Sequence, residues 1–139
     1  MAVAKWATPS GRSGNLAGAA LTNLGIGSAS AFISYDNSTL RDLYAAITIK
    51  LGSITPGTGG SVTFRIYAGD GTDLPDVNGG AFDSFTAALA TGASAKVVTF
   101  PMVRLYPFPC RFQVVNNAGV SFATSGNELY VTAYNEDVT

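Results

Sequence analysis

The sequence predicts an all-β protein, an antiparallel β-sandwich of jelly-roll type with an extended N-terminal arm. Three observations point there: short runs of alternating apolar and polar residues recur from Ala29 onward, turn clusters separate them, and no stretch sustains helical periodicity. Strand order cannot be read from such patterns, so an immunoglobulin-like sandwich stands as the alternative. At 139 residues the chain has the size of one domain and enough core to fold without metals or disulfides.

Residues 1–28 differ from the rest, with Gly11, Gly14, Gly18, Gly25 and Gly27 spread among Ala, Ser, Asn and Leu. This composition fits a flexible tail or an extended arm. Read as an arm, it packs either on its own domain or across a neighbouring subunit, and the second suits an assembled object. Residues 29–139 form the sandwich. Within them Leu43, Ala45, Ile47, Ile49 and Leu51 fall on one face of a strand, with Tyr44, Thr48 and Lys50 on the other. The turn Thr55–Gly60 leads to Val62, Phe64 and Ile66 alternating with Thr63, Arg65 and Tyr67, so that the two strands are expected to pair as a hairpin. Phe82, Phe85 and Leu89 mark a weaker strand. Two further strands are expected at Lys96–Phe100 and Met102–Phe108, divided by Pro101, because proline cannot donate to a sheet ladder. Arg111–Asn116 is expected to pair with Val120–Ala123 across Asn117-Ala118-Gly119. The last strand, Glu128–Asn135, turns Leu129, Val131 and Ala133 inward and Tyr130, Thr132 and Tyr134 outward.

Composition argues against catalysis. There is no His, one Cys and only nine carboxylates, so the commonest acid, base and metal ligand is missing. Asp36, Asp42, Asp83, Glu128, Glu136 and Asp137 show no partner spacing, and no phosphate loop, dinucleotide fingerprint or nucleophile elbow occurs. No enzymatic activity and no cofactor is expected. Asp70, Asp73, Asp76 and Asn78 crowd one loop that could supply oxygens to calcium, but they lack the EF-hand spacing and read as solvated turn chemistry. Cys110, without a partner, reads as a buried, inert thiol.

Charged residues make up 12% of the chain, half the share of about 25% usual for soluble domains, which leaves a neutral surface suited to association. A net charge of −1 with scattered Lys and Arg predicts no nucleic-acid partner. No apolar run approaches the roughly 18 residues of a membrane helix, and no secretory leader is read at the N-terminus. Tyr44, Tyr67, Tyr130 and Tyr134 point away from the aliphatic face, where tyrosines serve protein contact more than sugar stacking. Trp6 reads as an anchor.

The run Asp36-Asn37-Ser38-Thr39 before an alternating strand, the turn Ser53–Gly60 and the ending Ser125–Glu136 resemble small virion structural proteins of tailed bacteriophages. Residues 36–136 carry the likeness, which is strongest to the β-sandwich decoration, or cement, proteins of mature heads. The resemblance implies a virion protein on the outer capsid surface, assembled in the host cytoplasm, that binds major capsid protein where subunits meet and stabilises the shell, commonly as a homo-oligomer, with a trimer favoured. Lys5, Trp6 and Arg12 are the expected arm anchors, and Arg41, Tyr67 and Arg104 the expected sandwich contacts. Competing readings are a tail, collar or fibre component and a carbohydrate-binding module.

Overall fold

The computed structural model describes residues 3–74, 81 and 83–138. Among them nine strands and no helix occur: β1 (Ala4–Trp6), β2 (Ile33–Asp36), β3 (Tyr44–Ile54), β4 (Ser61–Ala68), β5 (Asp83–Ala88), β6 (Ser94–Arg104), β7 (Pro109–Asn117), β8 (Glu128–Tyr134) and β9 (Glu136–Val138). One sheet has the order β2-β7-β4-β5, the facing sheet β6-β3-β8, and β1 and β9 form a two-stranded ribbon. Every pairing is antiparallel.

The pairs are nested. Strand β4 pairs with β5, β3 with β6 outside it, and β2 with β7 outside that. The arm continues the series: the N–H groups of Ala7, Ser10, Ser13 and Leu16 donate to the carbonyls of Asn135, Ala133, Val131 and Leu129 at 2.8–2.9 Å. Residues 7–16 therefore occupy the free edge of β8 and make the eighth strand position of a jelly roll. The arm lies on its own domain, and Ala17 and Leu21 behind it are buried in the core. Its side chains complete the seam, since Ser13 Oγ accepts from Val131 N–H and Asn15 Oδ1 from Leu129 N–H.

Strand alternation explains the core. Ala45, Ile47, Ile49 and Leu51 from β3, with Leu129, Val131 and Ala133 from β8, meet Val62, Phe64, Ile66, Phe112 and Val114 of the opposite sheet. Phe64 of one sheet stacks on Phe100 of the other at 6.0 Å and meets Phe112 of its own at 5.0 Å with the rings tilted by 56°. Leu43, expected on the buried face, precedes β3 and is exposed.

Three strand expectations need correction. Strands β3 and β4 do not form a hairpin, because β6 and β8 already occupy both edges of β3. The turn at 55–60 instead crosses to the other sheet and packs on the turn at 117–119, with Gly57 N–H donating to Ala118 O at 2.8 Å. A Cβ at Gly60 would lie 2.8 Å from that same oxygen, so only glycine fits. Nor do residues 120–123 pair with β7, whose edges belong to β2 and β4; Asn116 Nδ2 holds the Val120 carbonyl and Phe122 N–H donates to Leu24 O. Finally, Pro101 lies inside one long strand, β6. This is an edge strand, and two residues, Pro101 and Met102, oppose the single Ala46 between the pairs Ala45↔Val103 and Ile47↔Phe100. Proline is tolerated at such an edge bulge because no ladder N–H is required of it.

Candidate binding face

The outward side of the β6-β3-β8 sheet is the open surface of the sandwich. Alternation places Tyr44, Ala46, Thr48 and Lys50 from β3 beside Tyr130, Thr132 and Tyr134 from β8, all half-buried, with Val97 and Met102 of β6 exposed. At the end nearest the β1–β9 ribbon the aromatics gather. Tyr44 and Tyr134, paired across β3 and β8, stack at 5.6 Å, and Trp6 from β1 meets both edge-on, at 6.0 and 5.4 Å with interplanar angles of 87° and 84°. The Tyr134 hydroxyl donates to Pro101 O at 2.7 Å, tying the cluster to the β6 bulge. Burial, and then the nearby Tyr44, raise the Tyr134 hydroxyl above its ordinary pKa.

Trp6, Ala7, Pro9, Pro101, Met102 and Tyr134 line a groove of about 460 Å³. None of its side chains is charged. The bulge makes this groove, because it turns Pro101 and Met102 outward in succession where simple alternation would have buried one of them. On the same face Arg12 lays its guanidinium 3.3 Å from the centroid of the Tyr130 ring, and Tyr130 donates its hydroxyl to Glu128 Oε2 at 2.6 Å. That hydrogen bond is the first cause of a raised Tyr130 pKa.

Of the six expected contact residues, the structure gathers four around this face. Trp6 stands 56% exposed at one end, Lys5 lies beside it in β1, Arg12 covers Tyr130, and Arg104 is paired with Tyr44 across β3 and β6. Arg41 is elsewhere, in the loop between β2 and β3, where its Nε donates to Ser38 O at 3.1 Å and its backbone adopts φ 54°. Tyr67 is a correction. It lies on the outer side of the opposite sheet but is only 2% exposed, with its hydroxyl bound to Gln113 Oε1 at 2.9 Å and its ring edge-on to Phe32. A residue so enclosed makes no external contact. Pro101, Met102 and Val97 are not among the contact residues expected from the sequence. The break in alternation at Phe100-Pro101-Met102-Val103 is the signal that marks them.

The arm is latched near this end by buried polar groups. Asp42 accepts from Ser10 Oγ at 3.1 Å and from Asn135 Nδ2 at 2.6 Å, while Asn37 bonds the backbone of Asp42 and Tyr106. Asp42 is thus a structural carboxylate. In the acidic loop, Asp70 Oδ1 accepts from the N–H groups of Thr72 and Asp73, both at 2.8 Å, which holds its carboxyl below the usual range. Asp76 and Asn78 lie outside the described residues, and among the described residues no group of His, Cys, Asp and Glu gathers as a metal site. Cys110 is buried, and burial pushes its thiol from 9.0 up to about 12, as expected of an inert thiol.

No family model matches the chain, and no curated protein matches it. Among solved structures it is similar to the GH26-CBM35 β-(1,4)-mannanase of Podospora anserina, at 15% identity over 96% of this chain and 28% of that one, with a TM-score of 0.49. It is also similar to the enzymatically active domain of bacteriophage CBA120 tailspike protein 4, at 9% identity over 99% of this chain and 19% of that one, TM-score 0.40. A CBM4 structure is similar at 9% identity over 88% and 84% of the two chains, TM-score 0.34. The chain thus spans less than a third of the mannanase and of the tailspike domain. All three are likenesses of backbone path at low identity.

Proposed function

We propose that this chain is a non-enzymatic docking protein of a virion, one that decorates the outside of a tailed-phage head by seating its open sheet face against major capsid subunits, with copies acting together as a homo-oligomer, a trimer being favoured. The observation that carries this reading is the groove between Trp6, Pro101 and Met102, an uncharged concavity walled by apolar side chains. Aromatic residues and Met are enriched at the desolvated centres of protein interfaces, where charged groups are depleted. Each contact of this size is weak alone, and many identical ones on a shell add through multivalency.

An antibody raised against the chain, applied to intact phage particles from a culture that produces it, tests the reading. Dense label over heads supports it. Label confined to tail or collar replaces it with the adhesion or connector reading, and absence of label from every particle overturns it. Deleting residues 1–28 is a poor test, because it strips the eighth strand and the buried Ala17 and Leu21. Met102→Asp is the sharper variant, since it places a charge in the groove and leaves the core untouched.

A further inference from the structure

Trp6 divides two cavities of different chemistry. On one side lies the uncharged groove described above. On the other is a cavity of about 340 Å³ lined by Ala4, Lys5, Trp6 and Glu136, at the lower end of the roughly 300–1,000 Å³ range of small-ligand sites. The indole between them is exposed but oriented, because Tyr44 and Tyr134 hold it edge-on. A pre-oriented ring loses little freedom when a ligand stacks on it.

The polar groups of this second cavity have bonding capacity to spare. Glu136 Oε1 receives the Tyr44 hydroxyl at 3.4 Å, while its second carboxylate oxygen and the Trp6 indole N–H have no partner among the described residues. Lys5 alternates to the other face of the ribbon, where it is paired with Asp137. The carboxylate oxygen and the indole N–H offer an acceptor and a donor beside a flat apolar surface. A quaternary ammonium is a poor fit, because the three rings lie only 5.4–6.0 Å apart and leave no space between them.

We propose that this cavity binds a neutral pyranose, such as an outer sugar of a glycan. The C–H face of the sugar stacks on the Trp6 indole, and its hydroxyls donate to the carboxylate of Glu136, which pairs with Trp6 across β1 and β9 and so shares its face of the ribbon. The opposite groove suits this ligand less, since the Tyr134 hydroxyl there has its one proton committed to Pro101 O and no charged acceptor lines it. The site stands apart from the docking reading and uses the other side of the same tryptophan.

The full chain is first applied to a printed array of oligosaccharides, and the methyl glycoside of the responding sugar is then titrated while tryptophan emission is followed. Trp6 is the one tryptophan in the chain, so the emission reports ligand on either side of its indole, and Glu136→Gln against Met102→Asp tells the two sides apart. A saturable change is expected. Glu136→Gln, at an exposed position, should weaken binding about tenfold with an unchanged thermal midpoint, whereas Lys5→Ala, on the other face of the ribbon, should leave binding unchanged. Met102→Asp should leave the sugar titration as it was and abolish particle docking. The proposal is overturned by a blank array, by emission that stays flat to the solubility of the sugar, or by array binding that survives Trp6→Ala. Blank particles with an intact sugar response would remove the docking reading alone.

Discussion

The two outer faces of this sandwich are built from similar residues and end in opposite states. On the β2-β7-β4-β5 sheet, Thr63, Tyr67, Gln113 and Val115 point outward and are nevertheless buried. On the β6-β3-β8 sheet, Tyr44, Tyr130 and Tyr134 point outward and stay half-exposed, with Met102 and Val97 bare. A bulge contributes to each outcome. In the edge next to β7, Ala29 pairs with Val115 and Ile33 with Phe112, so Ala31 and Phe32 both oppose Gln113, and the Phe32 ring is turned onto Tyr67. The bulge in β6 does the reverse and raises Pro101 and Met102 away from the sheet. One irregularity closes a face and the other opens one, so exposure here follows backbone geometry more than residue type.

The comparison breaks most readily at Tyr67. Tyr67→Ala should cost about 3 kcal/mol in a denaturant titration, since it removes a buried ring and leaves Gln113 Oε1 without its donor; a loss no larger than a surface substitution would mean that the closed face is not closed. The interior beneath that sheet is tested through Cys110. Its thiol keeps its proton up to about pH 12 when folded and loses it from about 9.0 when unfolded. The unfolded chain therefore binds fewer protons between those values, and stability contributed by this group falls as pH rises across them. A thiol reagent at pH 8 should leave the native protein unlabelled and react on denaturation.

Ser30→Ala should cost about 1–2 kcal/mol, because the buried N–H of Val114 then loses the Ser30 Oγ acceptor at 3.0 Å. Smallest of all, Met102→Asp should change stability by no more than about 0.5 kcal/mol, whereas its effect on particle docking should be complete. A large stability loss there would show that the open face is held shut in solution.

The faces of individual strands were legible in the sequence. Strand β8 follows its alternation residue by residue, and β3 does so from Ala45 to Leu51. Pairing was not, because local turn chemistry suggests local hairpins while a jelly roll pairs segments in nested order. The two turns that read as hairpins, 55–60 and 117–119, are crossovers that pack on each other. Their glycines meet a need for close approach that resembles the need of a tight hairpin. The candidate site was half legible: Trp6, Arg12 and Arg104 reach the open face, but Tyr67 could not be told from Tyr134 by alternation, since both point away from the core. What separates them is Phe32, brought by a bulge 35 positions earlier in the chain. Lys96 escaped notice for a similar reason. It is turned inward at the start of β6, and its ammonium is satisfied by Gly92 O at 2.7 Å and Ser94 Oγ at 2.9 Å.

The proline in β6 has a second effect, on behaviour at high concentration. A neutral surface gives little electrostatic repulsion between copies, and bare strand edges are the usual route by which crowded β-proteins zip into fibrils. The exposed border of the β6-β3-β8 sheet is interrupted by Pro101, which has no N–H to offer, and by the kink around it. The opposite border is already occupied by residues 7–16. Copies brought side by side can thus touch through side chains while neither border of this sheet templates another strand.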